Sequence, residues 1–270
     1  MTELQWNAFE KFRNEFKAEC KKWALISNEL SSLQKDSSLK DTPPYPLENS
    51  IVYNKALDEI TAEDEIHLIV IGDNPGKEEQ LTKNQKYLVG QSGRIAEGFF
   101  RRNSELCTDF RKNVIILNKT SVHTAKTSHL KYLIKNGTDN VRNLILESQT
   151  WMAEKTAELH KSLVENTAEG DFVPELWLVG YAELKGKGLF LPYRDNLKKA
   201  YIYSAKCQNM GTNLADSFDK AWSKVYVYQH FSMNRFLIDL KSYQKENPND
   251  SLKISLEKLG CKHKAEIFNY

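Results

Sequence analysis

Cysteine is scarce and scattered. The 270 residues hold four, at positions 20, 107, 207 and 261, and no two form a CxxC pair. That excludes a zinc ribbon and a cysteine-ligated iron–sulfur centre, and a chain this long does not depend on a disulfide framework. No apolar run approaches the ~18 residues that a membrane span requires, so no membrane partner is expected. The opening MTELQWNAFEKFRNEF has no basic start leading into an apolar core. A secretory signal is therefore not expected, and the expected location is the reducing cytoplasm. An excess of one charge is also missing. The net charge is +2, so the global field selects no partner. A Walker A loop is absent, because Gly76-Lys77 is followed by Glu78 rather than Ser or Thr. No metal and no cofactor are expected.

What is present is enough apolar residue, 40% of the chain, for one large core. Trp6, Phe9, Phe12, Phe16, Cys20, Trp23, Ile26, Leu30 and Leu33 recur at steps of three and four. This spacing predicts one long N-terminal helix with an apolar stripe that packs on the core. KDSSLKDTPPYPLENS follows as a loop. Strand-like and helix-like segments then alternate. Strands are predicted at 66–71, 113–117, 176–179 and 225–228, with a short one at 201–204. Helices are predicted to begin at 93, 139 and 236. Continuous apolar strands between helices imply a mostly parallel central sheet with helices on both faces. The expected architecture is α/β: a single three-layer domain at 51–247, an N-terminal helix and loop at 1–50, and a C-terminal extension at 248–270.

In such sheets ligands bind where strands end. The four exits read Gly72-Asp73-Asn74-Pro75-Gly76, Asn118-Lys119-Thr120-Ser121, Gly180-Tyr181-Ala182 and His230-Phe231-Ser232. Three of them carry side chains capable of directional hydrogen bonds, and that convergence points to a site. Between residues 101 and 135 eight Lys or Arg stand against Glu105 and Asp109. This is a solvated basic face or, if it borders the strand exits, a phosphate-facing patch. His123 and His129 lack metal-ligand spacing and are expected at the surface.

The exits also carry a resemblance. IGDNPGKEEQLTKNQKYLVGQSGRIAEGFF resembles the first motif of the uracil-DNA glycosylase superfamily, in which a strand ends in Gly-x-(Asp, Asn or Ala)-Pro-(Tyr or Gly) and a Val-Gly-x-(Ala or Ser)-Gly turn opens a helix. VIILNKTS looks like the family's second strand, LWLVGYAEL like its third, and VYVYQHFSMNRF like its His-Pro-Ser motif. The ordered matches cover roughly residues 65 to 240. The resemblance implies hydrolysis of the N-glycosidic bond of uracil or another deaminated base in DNA, by a monomer.

Within it, Asp73, Asn74 and His230 fall at catalytic positions. Gly72, Pro75, Gly76, Tyr87, Leu88 and Asn118 fall where the base is held, Asn118 as the residue that reads its edge. Gly90, Ser92, Ser232, Met233, Asn234 and Arg235 fall where the DNA strand is gripped, Met233 and Arg235 as wedge and phosphate contact. Two positions depart from the pattern. Leu88 stands where the family carries a ring that stacks on the base, with Tyr87 one step back. Phe231 replaces the proline of the His motif. Both departures favour the rival expectation, a non-catalytic relative that binds nucleic acid or a nucleotide-like ligand.

Overall fold

The computed structural model describes residues 1–207 and 220–268. Four strands carry the fold: β1 (Leu68–Gly72), β2 (Val114–Asn118), β3 (Glu175–Val179) and β4 (Val225–Tyr228). All pair in parallel in the order β2-β1-β3-β4. Every residue of β1 and β2 is buried. A strand buried on both faces gains nothing from alternating polarity, which explains the unbroken runs LIVIG and VIILN. The register aligns Gly72 with Asn118, so two of the predicted site segments leave the sheet side by side.

Eight helices surround the sheet among the described residues: α1 (Glu3–Ala24), α2 (Ser27–Ser38), α3 (Gln91–Arg102), α4 (His129–Asn136), α5 (Asp139–Glu165), α6 (Leu191–Cys207), α7 (Arg235–Glu246) and α8 (Leu252–Phe268). Trp177 of β3 meets Phe100 of α3 at 5.5 Å and Phe236 of α7 at 6.0 Å. α5 packs against α1 and α6. None of the described helices is long and apolar enough to cross a membrane.

The N-terminal stripe is buried as its spacing predicts, with Phe9, Phe12, Phe16, Cys20 and Trp23 closed off on α1. Phe12, Phe16 and Trp23 all pack on Trp151 of α5. The helix is not one piece. It stops at Ala24 and resumes as α2 at Ser27. Ile26, Ser27 and Asn28 are weak helix formers, and Ser and Asn favour caps and turns. Leu30 keeps the stripe buried beyond the break.

Residues 201–204 are helical, not a strand. Tyr193, Leu197 and Tyr201 recur every four residues on α6, and all three are buried. The local run Tyr-Ile-Tyr has strand composition, but the longer period decides. The segment 248–270 supplies α8, which packs against β4. The approach is close at Gly260, where a Cβ would sit 2.7 Å from the Tyr226 Cβ, and Tyr228 donates its hydroxyl proton to the Leu256 carbonyl at 2.9 Å.

Candidate active site

The carboxyl ends of the strands open onto a cleft of about 660 Å³. Asp73, Asn74, Gly76, Leu88, Ser92, Asn118, His230, Ser232, Met233 and Arg235 line it. The four exits therefore do converge, and Asn74, Asn118 and His230 share one space.

Asn118 is 2% exposed, and its Nδ2 has no hydrogen-bond partner among the described residues. A buried amide donor left unpaired costs about 1–3 kcal/mol. Gly72 makes the position possible, because a Cβ there would overlap Asn118 Oδ1. Gly72 does not line the cleft. Its lack of a side chain is what admits Asn118.

His230 has a defined tautomer. The Ser232 backbone N–H donates to Nδ1 at 3.1 Å, so Nδ1 accepts and the proton of the neutral ring sits on Nε2. Burial lowers the His230 pKa, with Lys119 adding to this and Asp73 opposing it. The ring is thus a neutral Nε2–H donor in the cleft. Phe231 is fully buried against Phe236 at 5.0 Å. It anchors the loop by packing.

Asn74 is held by its amide nitrogen, which donates to Thr124 Oγ1 at 2.8 Å and to the Val122 carbonyl at 3.2 Å. Its Oδ1 has no protein partner among the described residues. Asp73 is committed elsewhere. Its Oδ1 lies 2.6 Å from Lys119 Nζ, and Lys119 is wholly buried. The ammonium also donates to the carbonyls of Val179 at 2.6 Å and Gly72 at 3.2 Å, so all three of its protons are used. Burial lowers the Lys119 pKa and Asp73 raises it again. Gly180, at φ +96°, leaves room for the pair, since a Cβ there would overlap Asp73 Oδ1.

Several expectations need correction. Tyr87 does not face the cleft. It is 1% exposed, and its hydroxyl donates to the Val52 carbonyl at 2.6 Å. No Phe, Tyr or Trp lines the cleft among the described residues, and Leu88 takes the wall position with φ +52°. Pro75 lies beneath the surface, its carbonyl accepting from the Thr124 N–H and from His123 Nδ1 at 2.9 Å. Gly90 caps α3 outside the lining. Asn234 stands outside it as well, although it and Met233 are consecutive left-handed residues and Met233 is 68% exposed. His123 and His129 are buried, not surface residues. His123 is held neutral, burial lowering its pKa to about 4. Of the eight basic residues between 101 and 135, Lys126 alone lines the cleft, and Lys119 is buried against Asp73, so these eight form no continuous basic rim.

Local pattern did not single out Lys119 as the partner of Asp73, or Glu79, Thr124, Glu183 and Gln229 as lining residues. Lys119 was visible beside Asn118, but a lysine after a strand reads as surface charge until its carboxylate is located. Among the described residues no group of three or more His, Cys, Asp or Glu is placed to hold a metal ion. Comparison with protein-family models, curated proteins and solved structures finds no match.

Proposed function

We propose that this protein hydrolyses the N-glycosidic bond of uracil or another deaminated base in DNA, as a cytoplasmic monomer without metal or cofactor. The observation that carries the reading is the pairing, in one cleft, of a buried Asn118 amide donor, unpartnered among the described residues, with an Nε2–H donor on His230. Cleavage leaves an oxocarbenium-like sugar and an anionic base, so the protein must hold the extruded base, stabilise the growing charge and place a water.

Asn118 offers the donor and acceptor that match uracil O4 and N3–H. His230 donates to the oxygen where charge grows, and the Asn74 Oδ1 accepts from the attacking water. Asp73 is not the water-activating base, because Lys119 already neutralises it. A neutralised carboxylate also repels the departing base less than a free one. Met233 and Arg235, exposed on the rim, supply the wedge and a phosphate contact.

The test is incubation with uracil-containing and undamaged oligonucleotides followed by alkaline cleavage of abasic sites. Scission confined to the uracil strand is the expected result. A folded protein that binds DNA yet leaves uracil, hypoxanthine and xanthine intact supports the second reading, a non-catalytic DNA-binding relative. The missing stacking ring favours that reading, since it removes ~1–3 kcal/mol of contact with the base.

Two further outcomes are expected. Duplex affinity falls as salt rises, because phosphate contacts release counterions; binding indifferent to salt would exclude a nucleic-acid partner. Asn118→Asp weakens uracil release and increases the relative rate on cytosine, because the carboxyl presents a different donor–acceptor pattern. Unchanged discrimination in single-turnover assays would remove Asn118 from base reading.

A further inference from the structure

Between the two loops that wall the cleft lies a carboxyl group that this chemistry does not use. Glu79 is 7% exposed and borders the cleft. Its two oxygens are divided between two walls. Oε2 accepts from the Gly76 N–H at 3.1 Å, in the turn that carries Asn74, and Oε1 accepts from the Leu88 N–H at 3.0 Å. The Leu88 peptide is gripped from its other side as well. Arg111 Nη2 donates to its carbonyl at 2.7 Å, and that carbonyl lies so close over Gly93 that any Cβ there would overlap it. Leu88 itself is held at φ +52°, a conformation a leucine adopts only under constraint.

We propose that Glu79 is the positioning residue of the cleft, a carboxylate clamp that fixes the Leu88 wall and the Asn74-Pro75-Gly76 turn at one separation. The clamp stands on geometry alone; its effect on catalysis rests on the glycosylase reading. Its strength depends on charge, because amide hydrogen bonds to a carboxylate are roughly twice as strong as those to a neutral acceptor. Burial pushes the Glu79 carboxyl up to about 7, against the pull of the two amides and Arg111. Tyr87, buried and neutral, is a further titratable group beside it. Across the cleft stand Asp73, Lys126, Glu183, His230 and Arg235. The clamp is therefore at full strength above about pH 7 and weakens as pH falls through that value.

The Gly76 and Leu88 amide proton shifts, followed by NMR from pH 5 to 9, test this directly. In the wild type both are expected to move together with one midpoint near 7, and Glu79→Gln is expected to abolish the movement. Glu79→Gln also leaves DNA affinity near wild type, lowers the single-turnover rate at pH 8 by roughly 10- to 100-fold through wall displacement, and flattens the pH profile. Separate midpoints, or Gly76 and Leu88 amide shifts that Glu79→Gln leaves unchanged, overturn the proposal. If the substituted chain does not fold, the wild-type titration decides. If the two amides titrate together but wild-type protein releases no uracil, the clamp stands and the glycosylase reading fails.

Discussion

Replacing His230 by alanine is expected to lower the single-turnover rate of uracil release by roughly 10²–10³, with little change in DNA affinity. That is the usual effect of removing one preorganised donor from the place where negative charge develops. The ring is prepared for the task. The Ser232 N–H fixes Nδ1 as the acceptor, and burial keeps the imidazole neutral to lower pH than usual. An Nε2–H therefore faces the cleft throughout the neutral range. The expected titration of the ring, read by NMR, falls below the ordinary value of 6.5. Ser232→Ala keeps the backbone N–H and is expected to cost much less than His230→Ala. A His230→Ala rate within a few-fold of wild type would remove the residue from the chemistry.

The second large effect concerns stability. Lys119→Met leaves the Asp73 carboxylate buried without its partner 2.6 Å away, and is expected to destabilise the fold by about 3–5 kcal/mol. It also releases the carbonyls of Gly72 and Val179, which the ammonium ties together at the ends of β1 and β3. The double substitution Lys119→Met with Asp73→Asn removes both charges and is expected to recover most of the loss, since a buried pair often contributes little against neutral replacements. Denaturant unfolding of the four proteins in the cycle measures the coupling. Additive single effects would show that the two groups do not act as a pair. In the activity assay Asp73→Asn with Lys119→Met is expected to retain uracil release within about tenfold, because a carboxylate already committed to an ammonium does not activate water.

The lattice of this protein was legible in its sequence, and the inside of its site was not. Unbroken apolar runs at 66–71, 113–117, 176–179 and 225–228 required strands buried on both faces, and the segments between them required helices. Parallel order and a cleft at the strand ends followed, because each of these is decided by local periodicity and by chain connection. Asn118 and His230 were legible for the same reason, as polar residues set immediately after apolar strands.

Local pattern failed where the deciding contact joins residues far apart in the chain. Tyr87 sits one step from the wall of the cleft, but its hydroxyl reaches the Val52 carbonyl and its ring goes inward. His123 and His129 read as surface residues until Pro75, Tyr45 and Asp41 close over them. Lys119 counted as one charge in a basic run, yet it is neutralised by Asp73, 46 residues earlier. Glu79 stands beside Glu78 with nothing in the local pattern to set it apart, but its carboxyl spans two walls. The amino-acid sequence by itself determined the sheet, its layers and the place where a ligand would enter, since backbone hydrogen bonding and apolar burial act on every residue of a segment alike. Only the tertiary structure decided which polar side chains are already paired and which remain free for a substrate, because the cost of burying a charge or an amide depends on the one partner that the fold brings within hydrogen-bond reach.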